Sequence, residues 1–463
     1  TESFIPPTTP LTTTSQGATN VKLLCANNAS VTGTTIGTLT DGGNPTASTN
    51  SPFDDPEGFK FGENEDQNLI KCGSYVGHND SDKWPDINVG WEPQWVMIKR
   101  TDSADNWVIW DSMRGLLTGG NDNALYVDLS NSEGISPYLS LTSTGFKFNR
   151  QSGMVNNQDS TYFYVVIRRP DGYVGKPAEA GTDVFTMDTG NGSTTGPAFD
   201  SNFAVDMAIK RNPTSTHDWG THFRLTGPKD LRTNTSDVEG NDTAGGVFDY
   251  PNGVSKGSHL GSQYQAWMWK RHAGLDVVTY NANNTQGHSI AHNLGRVPEM
   301  IWFKNRDNAW HWNVYHIGLN GGTDPQKRHM RLDTDNAEVN LTDVGLTTDD
   351  FMNDKMPTAT HFELGDGANP NLQTGKNIAI LFASVDGISK VGYYAGTGSN
   401  LTITTGFQPR FVIIRSTSGS RNWLVFDTTR GWAAGNDQEL NINKSDAQGG
   451  NNDFGAPTAT GFT

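Results

Sequence analysis

The stretch NWVIWDSMRG at 106–115 returns as NWLVFDTTRG at 422–431. Both copies hold Asn-Trp, an aromatic followed by Asp, and a closing Arg-Gly. A duplicated catalytic site, a duplicated binding site or two samples of one building block would each explain the recurrence. The residues just upstream favour the building block. PQWVMIKR (93–100), PEMIWFKN (298–305) and PRFVIIRS (409–416) share Pro, a polar residue, four apolar residues and a cation, and DMAIKR (206–211) keeps the end of the pattern. Four apolar residues between Pro and a cation predict a strand covered on both faces. Pro93, Pro298 and Pro409 fit a strand's first position, where no ladder donor is lost.

Spacing ties the copies together. From the closing cation to the next Trp is eight residues for Lys99–Trp107, Lys304–Trp312 and Arg415–Trp423, and nine for Lys210–Trp219. Phe146, Phe248 and Phe362 each precede the start of a last apolar strand, at Tyr162, Tyr264 and Ile378, by 16 residues. Internal repetition therefore organises the chain. Each unit is expected to hold an opening strand (GSYVG at 73–77), the Pro-led strand, the Trp strand, a loop-rich stretch, a Phe strand and an exit strand. Helical periodicity is nearly absent. Short strands and frequent turn signals predict an all-β fold of tandem β-sandwich or jelly-roll modules. The units are placed at 71–176, 177–272, 273–387 and 388–463, after a leader at 1–70 whose apolar strand is VKLLC (21–25).

Alternate residues of a strand share a face, so Trp107, Ile109 and Asp111 point one way, matched by Trp423, Val425 and Asp427. The third unit offers Trp312, Val314 and His316; the second keeps Trp219 and puts Phe223 where Asp111 sits. Trp107, Trp219, Trp312 and Trp423 are thus the fixed anchors, each an apolar body with one N–H that needs an acceptor. Asp111 with Arg114, and Asp427 with Arg430, recur in only two copies and are read as strand-end ion pairs that orient turns. On this reading the phrase recurs because the fold recurs.

Composition limits the function. The formal charge of −16 disfavours nucleic acid and anionic membrane surfaces, which require clustered Lys and Arg. No apolar run approaches the roughly 20 residues of a membrane helix, so no membrane insertion is expected. Two cysteines, Cys25 and Cys72, build no disulfide framework. The chain opens without Met and is expected to be a processed or trimmed product. His288 and His292 in HSIAH lack a third ligand and the Glu of a zinc helix. DTDNAE (333–338) and GENED (62–66) lack calcium-loop spacing and are read as solvated turns. Many carboxylate pairs exist and nothing singles one out for glycoside hydrolysis. No catalytic residue, cofactor or metal is expected, and the protein is read as a non-enzyme. Loop aromatics such as Trp84, Trp310 and Trp432 are candidates to stack on sugars.

NVKLLCANN (20–28), QNLIKCGSYVG (67–77), GFQPRFVIIRS (406–416) and RNWLVFDTTRG (421–431) resemble marine bacteriophage proteins of cyanophage or pelagiphage type. These are tail-fibre or virion-associated proteins in which β-rich repeats follow a concanavalin-like lectin segment. The resemblance covers most of the chain and reads 1–70 as the tail of such an upstream segment; the lectin domain itself is not in residues 1–463, so a sugar site located there is not assumed. It implies a virion structural protein, made in the host cytoplasm, at a tail fibre or exposed fibre serving host attachment. Its expected partners are copies of itself, commonly as a trimer, other virion proteins, and a host surface glycan. A lectin-like module array or a capsid decoration protein is the alternative.

The fourth unit stops at PTATGFT (457–463), close to PTATHFELG (357–365). The 16-residue rule places its exit strand near 478. The expectation is a covering strand from another subunit, or a natural terminus beyond residue 463.

Overall fold

Strand patterning is realised throughout the computed structural model, which describes residues 69–171, 178–242, 246–255, 259–367, 369–372 and 374–463. The strand backbones Leu24–Cys25, Thr34–Ile36, Lys60–Phe61 and Val174–Gly175 are also described. The fold is all-β, and every strand pairing is antiparallel. Among the described residues helical geometry is confined to 3-10 turns of three or four residues.

The same sheet is built three times. In spatial order the first module sets the opening strand Ile70–Val76 beside the exit strand Thr161–Arg168. The Pro-led strand Pro93–Arg100, the Trp strand Val108–Asp111, Asp122–Tyr126 and Gly134–Ser136 follow. The second module repeats this order with Phe185–Thr189, Gln265–Trp269, Met207–Arg211, Gly220–Phe223, Lys229–Arg232 and Gly240–Asn241. The third uses Leu275–Ala282, Gly375–Phe382, Met300–Asn305, Asn313–His316, Arg328–Arg331 and Val339–Asn340. A small second sheet accompanies each: Leu139–Thr142, Gly145–Phe148 and Asp86–Asn88; Phe199–Asp200 with Gly253–Val254; His288–Ala291 with His361–Leu364.

The fourth module has Phe411–Ile414, Leu424–Asp427, Asp437–Asn441 and Gly449–Asn452, with a small sheet of Ile403–Thr404, Gly461–Phe462 and Pro457–Thr458. Among the described residues no strand takes the exit position beside Phe411–Ile414. Lys390–Gly396 aligns with the opening segment Lys71–Gly77 yet joins no sheet, and Tyr393 is 58% exposed. The cause is topological. In the other modules the opening strand pairs with the exit strand alone.

Three landmarks shift register from the sequence reading. Met207 pairs with Phe223 as Trp95 pairs with Asp111, so Arg211, not Lys210, occupies the place of Lys99, Lys304 and Arg415. The spacing Arg211–Trp219 is then eight, as elsewhere. Phe248 is buried but lies outside any strand. Ile378 matches Phe163 rather than Tyr162, since each pairs with the module's lysine, Lys304 or Lys99. Gly145 and Gly461 recur for a steric reason: a Cβ there would lie 1.8 Å from the Ile87 carbonyl oxygen or 1.9 Å from that of Ile403.

The chain divides into two compact units, Thr1–Gln67 with Tyr173–Pro177, and Asn68–Gly172 with Ala178–Thr463. Residues 173–177, which the sequence spacing gave to the ends of the first two modules, thus belong with the leader. GENED lies outside the described residues, and of VKLLC only the backbone of Leu24–Cys25 is described.

Period-2 alternation gives each large sheet two faces. One face meets the module's own small sheet, as Ile301, Phe303, Tyr315 and Leu381 meet Ile290 and Phe362. Ala208, Ala266 and Met268 do the same with Phe199 and Val254. In modules two to four the other face enters one shared core, holding Ile209, Trp219 and Trp267 of the second, Trp302, Trp312 and Ile380 of the third, and Trp423 and Val425 of the fourth.

Candidate functional site: an indole-linked ring and a polar cleft

The repeated Trp residues do not serve their own modules alone. Trp219 donates from Nε1 to the carbonyl oxygens of Asn441 at 2.9 Å and Lys444 at 3.0 Å, in the fourth module. Trp423 of the fourth donates to the carbonyl of Arg331 in the third at 2.9 Å. Trp312 of the third donates to the carbonyl of Arg232 in the second at 2.8 Å. The three links close a ring, second to fourth to third to second. The acceptors are equivalent, because Arg232, Arg331 and Asn441 all pair with the residue after the Trp.

Two further sets of contacts follow the same cycle. The backbone N–H groups of Gln448, Glu338 and Glu239 donate to the carbonyls of Pro213 (2.7 Å), Thr417 (2.9 Å) and Arg306 (2.9 Å). The strand-end cations do likewise. Arg211 donates to the carbonyl of Asp446 at 2.7 Å, Lys304 to that of Ser236 at 3.2 Å, and Arg415 to that of Asn336. Arg211 and Arg415 also lie over the indoles of Trp219 and Trp423, at 4.8 and 5.8 Å.

A local device fixes each Trp. Its backbone N–H donates to an Asx side chain two residues beyond the acceptor position: Asp128 for Trp107, Asn234 for Trp219, Asp333 for Trp312 and Asn443 for Trp423. All four modules have it. Sequence reasoning missed this Asx, although an Asp or Asn 15 to 21 residues after each Trp was visible. Pro93, Pro298 and Pro409 are all buried at or just before the Pro-led strand, and Val205 takes their place in the second module.

The Asp–Arg pairs hold turns. Arg114 donates from Nε to Asp111 at 2.7 Å and from its backbone N at 2.9 Å; Arg430 makes the same two bonds to Asp427 at 2.7 and 2.9 Å. Their surroundings differ. Asp427 is fully buried and also accepts from Trp267 Nε1 of the second module at 3.1 Å. Burial lowers the Arg430 pKa against the opposing charge of Asp427.

A second assembly of polar groups was not anticipated. Glu92 takes both arms of Arg271, at 2.7 and 2.9 Å, while Arg169 bonds Asp276 at 3.2 Å; all four side chains are buried. This network ties the first module to the second and third. Its two cross-module pairs, Glu92–Arg271 and Arg169–Asp276, lie 179 and 107 residues apart in sequence, beyond any local pattern.

An open cleft of about 590 Å³ flanks the second module, lined by Lys210, His217, His222, Asp230, Asp242, His259 and Tyr264 among others. The rings of His217, His259 and Tyr264 meet edge to face at 5.0–5.4 Å. Burial pushes Lys210 down to about 8, against the opposing charges of Asp242 and Asp230. Burial, and then Lys210, push His222 down to about 3. Burial also lowers His259, so His222 and His259 stand as uncharged imidazoles beside Asp230 and Asp242.

The other sequence candidates are structural in their contacts. His288 Nδ1 lies 3.1 Å from Asn371 Oδ1, and His292 Nε2 lies 3.1 Å from the Thr358 carbonyl. Among the described residues no group of three or more His, Cys, Asp or Glu is placed to hold a metal ion. In DTDNAE, Asp333 caps Trp312 and Glu338 joins Arg328 at 3.2 Å and the ring. Trp432, read as an exposed loop aromatic, is instead 3% exposed and donates to the Gly455 carbonyl at 3.0 Å. Trp84 and Trp310 are half-buried. No described helix is long and apolar enough to cross a membrane.

The fold and these contacts define a class: tandem β-sandwich proteins whose repeated residues join module to module. The chain belongs to the family described as Domain of unknown function (DUF7483), which matches residues 11–169 and 180–462. No curated protein matches it.

Proposed function

We propose that the protein is a non-enzymatic structural component of a virion, an exposed fibre-like part that serves host attachment. The observation that carries this reading is the ring itself. The side chains that recur between modules, Trp219, Trp312 and Trp423, are spent on module-to-module links. The polar positions that differ between modules line an open cleft on the second module. A rigid, acidic, Gly-rich array of this kind suits a part exposed outside cells after lysis.

Immunogold labelling of purified particles tests the reading. Label at a tail or fibre tip supports it, label over the capsid surface favours a decoration protein, and particles free of label overturn it. The cleft favours one second reading, a lectin-like module that binds a host glycan. A glycan array probed with the full chain and with His259→Ala would show binding that the variant loses. Equal signals from both proteins would remove the cleft from that role.

A further inference from the structure

The first module presents the same sheet face that closes the ring in the other three, and nothing in the described part of the chain covers it. On the strands Pro93–Arg100, Val108–Asp111 and Thr161–Arg168, the residues facing the small sheet (Val96, Ile98, Val108, Trp110, Tyr162, Val166) are buried. Those on the opposite face, Trp95, Met97, Ile109, Phe163, Val165 and Ile167, are only half-buried. They match Met300, Trp302, Val314, Ile378, Ile380 and Phe382 of the third module by strand register. Of those six, Trp302, Val314, Ile378 and Ile380 are buried in the shared core.

The loop after Asp122–Tyr126 makes the difference sharpest. Val127 N donates to the Trp107 carbonyl, as Thr233, Leu332 and Ile442 donate to those of Trp219, Trp312 and Trp423. Thr233 and Leu332 are 0% exposed and Ile442 1%, whereas Val127 is 60% exposed and Leu129 42%. Apolar side chains left open together on one sheet face are the signature of an interaction surface. The linking groups are in place too. Trp107 is held by Asp128, the Tyr126 carbonyl stands where Arg232, Arg331 and Asn441 accept an indole, and Lys99 holds its own loop as Lys304 does.

We infer that the first modules of three copies of this chain close a ring of the kind that the other three modules close within one chain. Trp107 of each copy donates to the Tyr126 carbonyl of the next, and Val127 is buried between them. The occupant is a second copy because the surface is self-complementary: it carries both the donor and the acceptor half of the link. Three is the number because three modules with this face close without a gap in the same molecule. The inference stands on packing alone and holds whether or not the protein is part of a virion.

Mass photometry and light scattering of the full chain test it. The expected mass is three times the 50.4 kDa of one chain. Val127→Glu, a change at a site exposed in the single chain, is expected to give a folded monomer whose unfolding midpoint no longer rises with protein concentration as that of the wild-type trimer does. Trp107→Ala is expected to weaken the trimer at least tenfold. Hydrogen exchange over 126–130 gives an independent readout, slow in the wild type and fast in Val127→Glu. A monomeric or dimeric wild type overturns the inference. So does a trimer that both variants leave intact, or rapid exchange over 126–130 in the wild-type trimer.

Discussion

Val127 and Leu332 are one position in two copies of the same fold, yet one is 60% exposed and the other 0%. The strands that present them share register, turn chemistry and the Asx cap on the preceding Trp. What differs is the neighbour. The module fixes which face of the sheet is apolar; the packing of modules decides whether that face sees water. Burial in this chain is therefore a property of the ring, and the first module serves as an internal control for the other three.

The comparison breaks first at the indoles. Trp312→Ala removes a fully buried indole and its bond to the Arg232 carbonyl, so a loss of about 3–5 kcal/mol is expected from the cavity, plus about 1 kcal/mol from the bond. Trp107→Ala, measured in the monomeric Val127→Glu background, is expected to cost less than about 1.5 kcal/mol, since its indole is half-exposed and its ring contact among the described residues is with Phe163 at 5.3 Å. Urea titration of both variants checks this. Equal losses would mean that the two indoles do the same work and that the ring adds nothing.

The ion pairs sharpen it. Asp427 and Asp111 hold their arginines with the same bond lengths, but only Asp427 is closed off from solvent and shared with Trp267. Asp427→Asn is expected to cost about 3 kcal/mol, because Arg430 is left buried without its countercharge. Asp111→Asn is expected to cost about 1 kcal/mol or less, as for other solvent-screened pairs. If the two denaturation midpoints shift alike, surroundings do not set the strength of these pairs.

Much of this was legible in the sequence, and the boundary between legible and hidden is physical. Alternation, the leading Pro and the cation-to-Trp interval report local backbone geometry, so they revealed the strands and the repeat. The second module lost its Pro to Val205, and with it the marker that would have chosen Arg211 over Lys210. The partners of the indoles were hidden because a backbone carbonyl is an acceptor whatever the residue; Arg232, Arg331 and Asn441 share no side-chain feature. The pairing of Glu92 with Arg271 was hidden by distance along the chain. Trp432 looked like a loop aromatic because its acceptor, the Gly455 carbonyl, comes from a stretch with no apolar signal.

Single buried groups in the two halves of the comparison titrate in opposite senses. In the second and third modules burial holds His222 at about 3 and His316 and His329 at about 4, all below the usual 6.5. A histidine whose folded pKa is depressed supports the fold above about pH 6.5 and withdraws that support as pH falls toward 4. In the first module burial raises Asp122 to about 7, against the backbone N–H groups of Leu139 and Leu117 that it accepts. A carboxyl raised above its ordinary 3.8 supports the fold at low pH and loses that support as pH rises through 7. Moving from pH 7.5 to 5 is thus expected to loosen the ring modules and tighten the first. Hydrogen exchange corrected for intrinsic rate should show faster exchange around His222 and His329, and slower exchange at Leu117 and Leu139. Exchange that changes in the same direction at both places would show that the four modules open as one cooperative body, with their separate titrations averaged across the shared core.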